Sequence, residues 1–155
     1  MSSYQFRGRH FEEFSESERF VTASRTITEA DVVAFAGLSG DFNPLHTNEL
    51  FASSTPFGTR IAHGMLVASV ATGLANQLGI FEGTTLALME QTMRYTGAVR
   101  FGDTIRLELE VEAKKETKKP DRGVVSCKAT ILNQKDEAVV EGVWTLMMRR
   151  RPAES

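Results

Sequence analysis

From Gly64 to Phe81 the chain contains no Asp, Glu, Lys or Arg. A helix through this run has no charged face to offer water, so it is expected to be buried on most sides. The run is too short for a membrane span, and it is interrupted by Gly73, Asn76, Gln77 and Gly79. One buried helix in a chain of 155 residues needs a sheet large enough to wrap it.

The remaining sequence supplies that sheet. From Thr104 to Ala113 apolar and polar residues alternate strictly, with Ile105, Leu107, Leu109, Val111 and Ala113 on one face, which predicts a strand with one wet side. Val125, Cys127, Ala129 and Ile131 repeat the pattern up to a turn around Asn133 to Asp136. Ala138 to Met148 is apolar at both parities and reads as an interior strand. Leu86 to Val99, bent or bulged near Gly97, and Arg19 to Thr26 give two further strand regions. The later strands follow one another through short connections, so an antiparallel sheet of about five strands is the economical topology. The fold class is α+β, a sheet wrapped around a long central helix.

Between the first strand and the long helix, Thr28 to Leu38 opens with a Thr-x-x-Asp pattern resembling a capping box and predicts a short helix. A second helical turn is expected from Glu49 to Ser53. The stretch between them, Ser39-Gly40-Asp41-Phe42-Asn43-Pro44-Leu45-His46, places a carboxylate, an amide and an imidazole in what reads as one non-helical bend. Pro44 has no amide hydrogen and biases Asn43 away from helical angles. In isolation such a segment is as often a self-bonded turn as a site. A carboxylate and an imidazole held together can move a proton on and off water. Gly64, at the start of the long helix, offers an amide that lacks a helical partner, at the positive end of the helix dipole, with no side chain to keep an oxyanion away.

Leu38 to His46, followed by Ile61-Ala62-His63-Gly64-Met65, resembles the signature of the MaoC-like, R-specific enoyl-CoA hydratase family of hot-dog folds. The resemblance runs in element order from about Phe20 to Met148 and includes Val99-Arg100-Phe101-Gly102-Asp103-Thr104. It implies reversible hydration of a trans-2-enoyl-CoA to the (R)-3-hydroxyacyl-CoA. Asp41 and His46 would be the catalytic pair, Asn43 the support of the loop or the pair, and the Gly64 amide the oxyanion donor. Thr72, where the family often carries a small hydroxyl residue, and His63 are weaker substrate-binding candidates. A Thr on a buried helix more often bonds back to a carbonyl one turn earlier, and a His at a helix start is more often structural. The resemblance also implies a homodimer paired through the sheet, with the acyl tunnel near the subunit interface; an exposed sheet edge argues in the same direction. Within this reading the substrate could be carried on acyl carrier protein, or could be branched or dicarboxylic, of the mesaconyl type, in which case an Arg would pair with the free carboxylate. A non-catalytic acyl-thioester-binding hot dog is the alternative from another class, and a hot-dog thioesterase is less favoured by the Asp-x-Asn-Pro-x-His loop.

Composition narrows the partners. With 18 Lys and Arg against 20 Asp and Glu, the net charge of −2 offers no general attraction for nucleic acid. The basic run Lys114 to Arg122 reads as a solvated hairpin loop; its cations, or Arg94 and Arg100, could alternatively meet the phosphates of coenzyme A. The single cysteine, Cys127, excludes an intrachain disulfide and sits at a core position. His10, His46 and His63 lack metal-like spacing with Cys or carboxylates, so no zinc site is expected, and the hydration that the resemblance implies needs neither a metal nor an organic cofactor. No nucleophile elbow accompanies Phe51 to Thr55, and no Gly-rich phosphate loop is present. The N-terminus has no apolar stretch of the secretory type, which predicts a cytoplasmic protein without a membrane segment. The length suits one domain, 1–155. Residues 1–18 read as an extension whose acidic part, from Phe11 onward, lies over the surface, and 149–155 as a frayed tail.

Overall fold

The computed structural model describes residues 3–152. The first two residues of the expected extension and the last three of the expected tail lie outside the described residues. Six strands, β1 (Arg19–Val21), β2 (Arg25–Thr26), β3 (Thr85–Tyr95), β4 (Thr104–Glu116), β5 (Arg122–Leu132) and β6 (Ala138–Arg149), form an antiparallel sheet. Its order is β1-β4-β5-β6-β3, with the short β2 also pairing with β4. The expected first strand is thus divided in two. β3 stops at Tyr95, and its bulges lie between Thr85 and Ala87 and between Leu88 and Glu90, not near Gly97.

Among the described residues, four α-helices precede or interrupt the sheet: α1 (Glu29–Ser39), α2 (Pro44–Thr47), α3 (Glu49–Ser53) and α4 (Gly64–Gln77). The Thr28 hydroxyl accepts from the Asp31 amide and the Asp31 carboxylate accepts from the Thr28 amide, so the capping box is real. α4 buries Leu66, Val67, Ala68, Val70, Ala71, Leu74 and Ala75 against Ile105, Leu107, Leu109 and Val111 of β4 and their neighbours on β5 and β6. Its opposite face, with Met65, Ser69, Thr72, Gly73 and Asn76, is open to solvent. The helix is therefore buried along one side rather than on most sides, and small polar groups replace the missing charges on the other.

The alternation of β4 holds as far as Val111 and then breaks. A register shift between Val111 and Ala113 sets Ala113 opposite Ser126, on the outer face. Ala113, expected inside, is exposed. A bulge adds one residue to one strand and inverts the parity of all that follows.

The N-terminal segment also departs from its sequence reading. Phe11 and Phe14 are 5% and 1% exposed and belong to the core. Phe14 stacks on Phe81 with 6.2 Å between ring centroids and meets Phe20 edge-on at 6.3 Å. The acidic residues between them face outward, where Glu12 holds Arg150 and Glu13 holds Arg151. The segment is a strap that closes one end of the sheet; Arg150 and Arg151 are tied to it and Arg149 ends β6, so these three residues do not fray. Lys114, placed by its sequence in a solvated loop, lies in β4 and donates to the Phe14 carbonyl. The hairpin loop itself is confined to residues 117–121.

Candidate active site

The bend at Ser39 to His46 is partly helical. Gly40 ends α1 in the left-handed region at φ 77°, with its amide on the Ala36 carbonyl, a conformation that a side chain disfavours. Three residues later Asn43 is the N-cap of α2: its side-chain oxygen accepts from the Leu45 amide at 3.0 Å, and Pro44 occupies the first helical position. Pro is well placed there, because the amide it lacks would have had no helical partner. The expectation of a wholly non-helical bend is corrected accordingly. Asn43, at φ −51° and ψ 133°, stays outside the helical region, as the following Pro favours, and His46 is carried by the short helix.

This geometry brings the polar groups together. Asp41 is exposed, and its Oδ1 accepts from the Asn43 amide at 3.1 Å. His46 Nδ1 lies 2.7 Å from the Ile61 carbonyl. A carbonyl only accepts, so Nδ1 carries the proton and Nε2 of the neutral ring is left as an acceptor. His63, 2% exposed, donates from Nε2 to the Asp41 carbonyl at 2.9 Å, and its Nδ1 is buried without a partner. The two imidazoles face each other with centroids 3.9 Å apart and planes 31° apart. One side-chain atom from each of Asp41, His46 and His63 falls within 4.8 Å of the others, and His63 is the member that sequence spacing did not group with the other two. His46 Nδ1 is committed to the Ile61 carbonyl and His63 Nε2 to the Asp41 carbonyl, so each of the two tilted rings has one nitrogen left over.

A cavity of about 430 Å³ opens beside His46. Gly64, at the start of α4, lies in its wall with Ile61, Met65, Val67, Val99 and Val140. No side chain caps α4, which leaves its first amides to a ligand. Gly64 also has a packing reason to be glycine: a Cβ there would lie 2.5 Å from a ring carbon of Tyr95, another wall residue. Loss of solvation raises the Tyr95 phenol above its usual range. Of the expected residues, His46 and Gly64 line the cavity, Asp41 approaches His46 from outside its wall, and Asn43 bonds within the loop. Thr72 is not at the site: it lies on the open face of α4 and gives its hydroxyl to the Ser69 carbonyl at 2.7 Å. His63 bonds to the Asp41 carbonyl and, like Asp41, is not part of the cavity wall. Tyr95 is the wall residue that sequence reasoning missed; its place at the end of β3, just before Thr96 and Gly97, was the available signal.

The MaoC like domain family matches residues 13–131. The chain belongs to this family. Over 143 residues, 92% of this chain and 93% of the relative, it is 34% identical to an (R)-specific enoyl-CoA hydratase of Rhodospirillum rubrum. A MaoC-like dehydratase structure from Rhodospirillum rubrum superposes with a TM-score of 0.84 at 28% identity, covering 94% of this chain and 99% of that one. A Mycobacterium tuberculosis protein described as a double hotdog fold gives a TM-score of 0.83 at 20% identity, over 98% of this chain and 47% of the other. The family's hot-dog architecture is thus the architecture of this chain, an open sheet around α4. Among the described residues, no helix of this MaoC-like protein is long and apolar enough to cross a membrane.

Proposed function

We propose that this hydro-lyase reversibly adds water across the double bond of a trans-2-enoyl-CoA to give the (R)-3-hydroxyacyl-CoA. The observation that carries the reading is the approach of Asp41 and His46 side-chain atoms to within 4.8 Å beside an apolar cavity with Gly64 in its wall. Two hydrogen bonds of about 2.8 Å meeting at a tetrahedral water span roughly 4.6 Å, so one water can be held by both groups. In the hydration direction one of the pair takes a proton from that water as its oxygen bonds to C3. The C2=C3 electrons move into the thioester as an enolate, whose oxygen is met by the Gly64 amide. The proton taken from water is then delivered from the pair to C2, which completes the product at the expense of the water O–H and the C2=C3 π bond and returns both side chains to their starting state. The balance is one water consumed and one C–O and one C–H bond formed, with no change of redox state, so the chemistry requires no metal or organic cofactor.

Asn43 contributes by fixing the start of α2, and so the orientation of His46. A second copy of the chain is part of the same proposal. β3 is an edge strand with Leu86, Leu88, Met89 and Tyr95 exposed, a row of apolar side chains beside unpaired backbone groups. Pairing of two such edges would cover that row and bring a partner's surface close to Tyr95 in the cavity wall.

The test is the loss of enoyl absorbance with crotonyl-CoA, using wild type, Asp41→Asn and His46→Gln, with chiral analysis of the product. The expected result is an R product from wild type and rates lower by roughly 10²- to 10⁴-fold in both variants, each still folded. An inactive wild type across short, medium and dicarboxylic CoA thioesters would sink the reading. An S product would overturn its stereochemical part.

A further inference from the structure

We infer that His63 is a positioning residue for the Asp41–His46 pair, holding the carboxylate-bearing loop in register with the imidazole through its bond to the Asp41 carbonyl. This rests on the hydration reading above and adds a component to it.

Three observations converge. His63 is 2% exposed and lies between Phe35, at 5.0 Å between centroids, and His46, at 3.9 Å. Its Nε2 donates 2.9 Å to the main chain of Asp41. Its Nδ1 has no partner, and a buried polar atom left unpaired is costly, so stability alone does not account for an imidazole at this position. An apolar ring would fill the same space without that cost. What an apolar ring would lack is the donor to the loop.

The two halves of the pair are also anchored differently. His46 has its own tie, from Nδ1 to the Ile61 carbonyl, and Ile61 is in turn fixed by its amide on the Leu45 carbonyl. Asp41 has only short-range bonds within the loop, its amide to the Ser39 hydroxyl at 3.2 Å and its carboxylate to the Asn43 amide, besides the bond from His63. These local bonds shape the turn but do not locate it relative to α4. His63, the residue before Gly64, therefore relates the loop both to the imidazole and to the start of α4 that bears the oxyanion donor. A displacement of about 1 Å in such a constellation can cost about 10²-fold in rate.

The experiment compares His63→Phe, which keeps a ring between Phe35 and His46 but has no donor, with His63→Gln, whose amide can reach the Asp41 carbonyl. Turnover of crotonyl-CoA and hydrogen exchange of the loop amides from Asp41 to Asn48 are both measured. Expected for His63→Phe are a kcat lower by roughly ten- to hundredfold, a KM within about threefold of wild type, and faster loop exchange at an unchanged melting temperature. His63→Gln should restore both kcat and exchange to within about threefold of wild type. A fully active His63→Phe, or a His63→Gln as impaired as His63→Phe in both readouts, overturns the inference. If wild type hydrates no thioester, the hydration reading fails, and loop exchange alone decides whether His63 positions the loop.

Discussion

Substituting Phe14 by Ala separates a structural strap from a surface extension. Phe14 is 1% exposed, stacked on Phe81 and edge-on to Phe20. Loss of a fully buried large side chain removes about 1.5–3 kcal/mol of transfer free energy. The cavity left behind and the aromatic pairs add to this, so Phe→Ala in a core falls at about 3–5 kcal/mol. For 155 residues an unfolding entropy near 2.1 cal/mol/K per residue amounts to about 0.33 kcal/mol/K, so a loss of about 4 kcal/mol lowers the melting temperature by roughly 12 °C. The assay is urea denaturation and thermal melting of wild type and Phe14→Ala at one protein concentration, since association would shift both. The cavity beside His46 is lined by none of the strap residues, so kcat at 20 °C should be unchanged. A stability loss below about 1 kcal/mol would refute the assignment of Phe14 to the core.

Other substitutions probe the site and its charges. Gly64→Ala should lower kcat by roughly ten- to hundredfold while the protein stays folded, because the new Cβ displaces Tyr95 and crowds the approach of a thioester carbonyl; full activity in a steady-state assay would remove the Gly64 amide from its role. Burial pushes the Cys127 thiol up to about 12, so titration with a thiol reagent at pH 8 should label it only after unfolding, and rapid labelling of the native protein would contradict its placement. Glu13 is held at about 2 by the His10 amide and by Arg151, and Asp31 is held below its usual range chiefly by the Thr28 amide. A carboxylate depressed in the folded state stabilises it above the unfolded pKa, near 4, and that contribution is lost as pH falls through the folded value. Melting temperature should therefore fall from about pH 4.5 towards pH 2, and less steeply in Glu13→Gln, with the effect reduced by the partial exposure of Glu13; an identical slope in both proteins would count against the pairing.

The sequence carried most of what local rules can express. The Thr28 and Asp31 capping box and the alternation of β4 as far as Val111 are properties of residues close in the chain, and each was legible there, whereas α4 was expected to be buried on most sides because its open face carries small polar groups and no charge. Ala113 was misplaced because a bulge leaves no mark in a hydrophobic pattern until the partner strand is known. Pro44 was read as a breaker when it starts a helix, since the same fixed φ serves both ends of that choice. The strap was missed because Phe11 and Phe14 are set among acidic residues, and only the distant Phe81 and Arg150 reveal which faces turn inward. At the site, Asp41, Asn43 and His46 share one segment and could be grouped from it. The stacking of His63 on His46 depends on how α2 meets the start of α4, which no spacing encodes.

The strap has a consequence for how the chain acquires its fold. Phe11 and Phe14 are made early, whereas Lys114, Arg150 and Arg151, which fasten the strap, are made more than a hundred residues later or close to it. Until β4 and β6 have been synthesised, two large aromatic rings have no place to go and must remain on the nascent chain as exposed apolar surface. Closing the contact from Glu12 to Arg150 joins positions separated by 138 residues, among the most non-local events available to this chain. A chain halted before β6 would lack Arg150 and Arg151 and so leave this end of the strap unfastened.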